Sequence, residues 1–244
     1  MLRAVSVFAL AAAAAAQTVH LPPVATTVNV QGQPLTIPVE ATVSQGPASL
    51  LVAAQAGLGD LQRNLLPILA AQLNRSDRCG ERIQLHTAGL RPAPPSAILD
   101  ATMHVEKWAC AKAFGKEIVK RLVGGEGAVR VRITPRVDNG SAIVLDAEVV
   151  SVDADGSLGE ILRSPQFGDE LREKIRTSIA SAVEKSANLH AVLPPAVKDI
   201  VTVRSAAFAD GGRESLMLRV AGEVRIPPEQ AAALLEKLKT TAMK

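Results

Sequence analysis

Strict alternation of apolar and polar side chains is the feature that most constrains how this chain can fold. Leu216, Leu218, Val220, Gly222, Val224 and Ile226 share one parity, and Met217, Arg219, Ala221, Glu223 and Arg225 share the other. A period of two places the two sets on opposite faces of a strand, one buried and one wet. The pattern recurs in Leu35, Ile37, Val39, Ala41 and Val43, in Val129, Val131 and Ile133 set against Arg130 and Arg132, and in Ile143, Leu145, Ala147 and Val149. Val201, Val203 and Ser205 begin another strand. Antiparallel strands with one solvated face carry this signature. Turn signals separate them: Gln31-Gly32-Gln33-Pro34, Asp138-Asn139-Gly140 and Ala209-Asp210-Gly211-Gly212. Pro38 cannot donate to a ladder, so it marks its strand as an edge.

A second periodicity predicts helices. Leu50, Ala54, Leu58, Leu61, Leu65, Leu69 and Leu73 recur at three- and four-residue steps, which reads as one long amphipathic helix over Ser49–Arg75 with Ser49 as its N-cap. Gly57, Gly59 and Pro67 weaken or kink it, and two shorter helices are the alternative. A second helix is expected over Asp169–Leu189, and a terminal one after Pro227-Pro228 with Ala232, Leu235 and Leu238 along one side. Gly124-Gly125-Glu126-Gly127 reads as a polar break. No regular strand-helix-strand alternation runs through the chain, which argues against a doubly wound nucleotide-binding fold. The fold class expected is α+β, with a curved antiparallel sheet wrapped around long amphipathic helices. One domain is expected over 17–244, and a division into two lobes, if there is one, falls near 124–127.

The N-terminus reads as an address. Arg3 precedes the apolar run Ala4–Ala16, and Ala14-Ala15-Ala16 before Gln17 fits a secretory cleavage site. Residues 1–16 are therefore expected to be a signal peptide, with a buried N-terminal helix as the alternative. The run is too short to span a bilayer, which takes about 20 apolar residues. No membrane span is expected in the mature chain, and a periplasmic or secreted location follows.

The cysteines agree with export. Cys79 and Cys110 are the only two in the sequence, and an even count in an oxidising compartment reads as a disulfide. Between them lies a hairpin with arms Glu81–Thr87 and Ala97–Trp108. Matching the apolar faces pairs Ile83 with Val105 and Leu85 with Met103. That register puts Cys79 opposite Ala109, one residue short of Cys110, and a bulge or frayed end closes the gap. Two free buried thiols are the alternative.

The search for chemistry excludes more than it finds. Aromatic residues make up only 2% of the chain, too few for the stacking platforms of carbohydrate or single-stranded nucleic-acid binders. Twenty-seven basic and 24 acidic residues leave a net charge of +3, which gives a nucleic-acid role little support. No Gly-x-Ser-x-Gly elbow is present. Gly124–Gly127 lacks the Gly-Lys-Ser/Thr ending of a phosphate loop. Asp153-Ala154-Asp155-Gly156 starts like a calcium loop, but Ser164 stands where the closing Glu belongs. Arg130, Arg132 and Arg136 form a small basic row that reads as solvated. His86 and His104 fall as diagonal neighbours on the outer face of the disulfide hairpin, with no third ligand evident, so no metal site is assigned. No catalytic residue and no cofactor is expected.

What remains is aliphatic surface on rods and pleated segments that face each other. In this organisation the chain resembles the tubular lipid-binding superfamily, which contains bactericidal/permeability-increasing-like proteins and synaptotagmin-like lipid-transfer domains. The likeness lies in a β-hairpin before the Ser49–Arg75 helix, antiparallel strands after it, a second helix followed by the strands Val201–Ile226, and a single disulfide. The resemblance implies a hydrophobic groove and lipid binding without catalysis. The function expected is an exported, non-enzymatic protein that holds or transfers a lipid or other hydrophobic small molecule. Leu58, Leu61, Leu65, Leu69, Leu218, Val220 and Val224 are the expected lining. The alternative is a scaffold module of the cell envelope with a dry core and a protein partner, and a hydrolase with an unrecognised site is a third reading.

Overall fold

A computed structural model describes residues 18–46, 49–76, 78–113, 116–138, 142–154 and 201–227, together with positions 159–160, 164–165, 169, 173, 230, 233, 236 and 240. The first hairpin forms as its alternation predicts. Strand β1 (Thr18–Val30) turns into β2 (Gln33–Gln45), and Gln31 and Gly32 both take positive φ, at 50° and 80°. That conformation matches the twist of a tight hairpin. Leu35, Ile37, Val39, Ala41 and Val43 are buried on one face of β2.

The next segment overturns the long helix predicted over Ser49–Arg75. Leu50–Gly57 is strand β3, followed by two short helices, α1 (Gly59–Arg63) and α2 (Leu65–Leu73). Leu50, Val52, Ala54 and Ala56 are buried and alternate with more exposed residues. Four is a multiple of two, so residues 50, 54 and 58 share a face under either periodicity. The decision goes to the strand because β3 finds partners on both sides. It pairs antiparallel with β2 (Val39↔Ala56 to Gln45↔Leu50) and with β10 (Leu216–Val224) across Met217↔Gly57 to Val224↔Leu50. The helical part then breaks at Asn64, which places Pro67 in the first turn of α2. There its missing N–H is one that would have no intrahelical acceptor anyway.

From α2 the chain builds a second sheet in sequence order: β4 (Arg75–Ser76), β5 (Gly80–Ala93), β6 (Ser96–Ala113), β7 (Lys116–Asp138) and β8 (Ala142–Asp153). The hairpin register matches expectation, with Ile83 opposite Val105 and Leu85 opposite Met103. The glycine-rich stretch is not a break. Gly124–Gly127 lies inside β7 and pairs with β6, with Glu126 opposite His104 and Gly124 opposite Glu106. A Cβ on Gly124 would stand 3.2 Å from Glu106 Cγ, so the absent side chain leaves the space that Glu106 fills. The chain then returns to the first sheet through β9 (Val201–Asp210) and β10, giving the order β1-β2-β3-β10-β9.

Pro38 is therefore not on an edge strand, since β2 lies between β1 and β3. It is tolerated because it sits one step beyond the last β2–β3 pair, Val39↔Ala56. Just past it, the Thr36 N–H donates to Asp60 Oδ2 of α1 at 2.8 Å instead of to a strand.

One apolar core joins both sheets and the two helices. Leu58, Leu61, Leu65, Ile68, Leu69 and Leu73 meet Leu35, Leu50 and Leu218 of the first sheet and Leu85, Leu99, Met103 and Val131 of the second. The expected α+β class, a sheet wrapped around long helices, gives way to two antiparallel five-stranded sheets with a short helical connector between them. The helix predicted over Asp169–Leu189 lies outside the described residues except at Asp169 and Glu173, both helical. Ala232, Leu235 and Leu238 of the terminal helix lie outside them too, as do the signal segment 1–16 and the turn residues Asn139 and Gly140.

Candidate functional site

The outer face of the first sheet is built from small side chains in register. One row across the strands runs His20, Thr42, Ala53, Ala221 and Ser205. The next runs Glu40, Gln55, Arg219 and Ala207. These rows, with Leu21 and Pro23 of β1, line a groove of about 640 Å³ with a mostly apolar wall. The volume falls within the range of small-molecule sites, roughly 300–1,000 Å³.

Both edges of the sheet reach this one groove: His20, Leu21 and Pro23 from β1, Ser205 and Ala207 from β9. Flat strands would hold those edges about 19 Å apart, four spacings of 4.7–4.9 Å. The pairing is irregular near both of these edges. Register shifts occur between Leu21 and Val24 in β1 and at Ala221/Gly222 of the β9–β10 ladder. Bulges at sheet edges bend and twist a strand. In the row from His20 to Ser205 the side chains between the two edges are short: Thr42, Ala53 and Ala221. Glu40 and Arg219 stand on either side of Gln55, two strand spacings or about 9–10 Å apart, so the groove carries one charge of each sign.

The seven residues predicted to line a ligand site are core residues. Leu58, Leu61, Leu65, Leu69, Leu218, Val220 and Val224 come together in the core, each 5% exposed or less. Among them, Val220 also borders the groove. The groove residues themselves were visible in the sequence only as the wet parity of each strand. The alignment of Ala53, Ala221 and Ala207 into a smooth floor exists only once three strands distant in sequence are in register.

The outer face of the second sheet is different in kind, laced with ion pairs. The Arg130, Arg132 and Arg136 row is neutralised by Asp100 at 2.6 Å, Glu148 at 3.0 Å and Asp146 at 2.8 Å. Burial by itself raises the Asp100 carboxyl, but hydrogen bonds from Arg130 and Arg91 outweigh it and hold its pKa below the ordinary value. Glu106 is the hub of a second cluster. It accepts from Trp108 Nε1 at 2.8 Å and Arg121 Nη1 at 3.0 Å, while the Arg82 guanidinium lies 4.2 Å over the indole ring. The Trp108 and Arg121 hydrogen bonds bring the Glu106 pKa down to about 2. Glu126 sits between His86 and His104, and its hydrogen bond raises the His104 pKa.

Cys79 and Cys110 form the expected disulfide, with Cα atoms 5.6 Å apart. Gly80 pairs with Trp108 as the last step of the β5–β6 ladder, and the bond closes just beyond it. Glu117 lies close to both sulfurs, but sulfur in a disulfide offers no thiolate to a metal. Among the described residues, no helix is long and apolar enough to cross a membrane.

No protein-family model matches the chain, and no curated protein matches it. Among solved structures it is similar to a crystal structure of lipopolysaccharide binding protein, at 11% identity and a TM-score of 0.26. The match covers 87% of this chain and 46% of that one, so this chain spans less than half of its length.

Proposed function

We propose that this protein is a non-enzymatic binder of a lipid or other hydrophobic small molecule, working after export to an oxidising compartment. The groove across the outer face of the first sheet is its ligand site. The observation that carries this reading is that residues from all five strands of the first sheet, both edge strands included, line one groove with alanines in its floor. An aliphatic chain laid along Ala53, Ala221 and Ala207 leaves water at about 0.8 kcal/mol per buried methylene. Glu40, Arg219 and His20 give the groove polar groups that can hold one end of an amphipathic ligand. The disulfide supports the oxidising compartment. Absence of catalysis is part of the proposal.

Titration with a fluorescent long-chain fatty acid, alongside native mass spectrometry of the purified protein, tests this. Saturable binding is expected, and Ala221→Trp should weaken it about tenfold or more by filling the floor, ~1.4 kcal/mol. The unfolding midpoint should stay unchanged, because Ala221 is exposed and Trp suits a strand surface. Absence of saturable binding below about 100 µM, or equal affinity for A221W, overturns the proposal.

A further inference from the structure

We propose that the ribbon formed by β6 and β7 over residues 107–123 is a docking surface for a membrane rich in anionic lipid. In sequence this stretch holds five basic residues against the single carboxylate of Glu117, while the whole chain has a net charge of only +3. The positive excess of the protein is thus concentrated in one ribbon. Its two faces differ. Met103 and Val105 of β6 are buried in the core, and alternation carries that same face on through Lys107, Ala109 and Ala111. Lys120 stands opposite Ala109 and Ile118 opposite Ala111, and cross-strand partners point to the same side. Leu122 is the extra residue of a bulge, skipped between the pairs Trp108↔Arg121 and Lys107↔Val123.

The other face is held by the body of the protein. The Arg82 guanidinium covers Trp108, Cys110 is bonded to Cys79, Arg121 pairs with Glu106 at 3.0 Å and Glu117 with Arg78 at 3.0 Å. The aliphatic side chains of the ribbon are left in water: Ile118 is 54% exposed and Leu122 59%, the two most exposed large apolar side chains among the described residues. Lys107, Lys112 and Lys120 are exposed and, among the described residues, paired with no carboxylate. Two aliphatics set among lysines suit a bilayer interface. Ile118 and Leu122 enter the acyl boundary, the lysine stems lie along it, and their ammonium groups stay with the lipid phosphates. An anionic surface attracts the ribbon through the same charges. A bilayer also demands no shape complementarity, whereas a stable protein interface is built round a larger apolar core.

The test is cosedimentation of the oxidised full chain with vesicles of phosphatidylglycerol and phosphatidylcholine in equal parts, against vesicles of phosphatidylcholine alone, in about 0.1 M salt. Binding to the anionic vesicles is expected, about tenfold or more stronger than to the neutral ones and weakening as salt rises. The double variants Ile118→Ser with Leu122→Ser, and Lys107→Glu with Lys120→Glu, should each weaken it about tenfold or more. The unfolding midpoint should stay that of the wild type, because all four side chains are exposed. Ala221→Trp, in the groove of the first sheet, should bind vesicles as the wild type does, which separates docking from ligand capture. No binding up to about 1 mM lipid, equal binding to both vesicle types, or loss of binding in A221W overturns the proposal. So does anionic binding unaffected by I118S with L122S, which would be adsorption by charge alone, as on an acidic protein.

Discussion

The N–H of Leu216, the first residue of β10, donates to Oε1 of Gln62 on α1 at 2.9 Å, across 154 residues of sequence. The Gln62 side-chain nitrogen donates in turn to the carbonyls of Leu90 and Glu214, both at 2.9 Å. One amide thus ties the helical connector to both sheets. Gln62→Leu keeps the volume and leaves the Leu216 N–H without its acceptor. The expected loss is about 1–3 kcal/mol, read as a lower denaturant midpoint at unchanged slope.

Gly57 and Pro38 make a second close approach. A Cβ on Gly57 would stand 3.0 Å from Pro38 Cγ, whereas one on Gly89 would meet nothing within 4 Å. Gly57→Val should destabilise by about 1–3 kcal/mol through overpacking. Gly89→Ala should be neutral or stabilise by up to ~1 kcal/mol, because it restricts the unfolded chain without a native clash. Equal effects at the two positions would contradict the described geometry.

Stability should fall in acid through Glu106. Its folded pKa, about 2, lies below the ordinary 4.5, so the folded state binds fewer protons than the unfolded one. The contribution is fully present above the unfolded pKa and is lost as pH falls through about 2. Trp108 is the sole tryptophan and donates to this carboxylate, so its fluorescence should titrate over the same window. Glu106→Gln should remove that transition, and a wild-type midpoint near 4.5 would refute the assigned network.

The disulfide joins residues 31 apart in sequence. Replacing both Cys79 and Cys110 with Ser should cost roughly 3–4 kcal/mol in the chain-entropy account, measured as the unfolding midpoint of the double variant against the oxidised protein.

Phe208 is 1% exposed and is the one aromatic ring in the described core. Phe208→Ala should cost about 3–5 kcal/mol, yet leave affinity for a groove ligand unchanged, because the ring lies on the opposite face of β9 from Ser205 and Ala207. Loss of probe binding in a variant that still folds would place the ligand in the core instead.

The sequence by itself determined what is local. Period-two alternation identified β2, the Val129–Ile133 part of β7, β8 and β10 and told their buried face from their wet one, since side-chain direction in a strand depends only on parity. Facing apolar sets pinned Ile83 to Val105 and Leu85 to Met103, because slipping that hairpin by one residue would turn its core side chains into water. Tertiary structure decided the rest. Leu50–Gly57 satisfies helix and strand periodicities alike, and the strand wins through hydrogen bonds to β2 and to a β10 that lies some 160 residues further on. Gly124–Gly127 has no local preference for a strand, and it extends because β6 lies beside it and offers a ladder. The groove and the His86–Glu126–His104 cluster belong to this second class. Each is assembled from wet-face residues of separate strands, and no parity rule within one strand says which strands become neighbours.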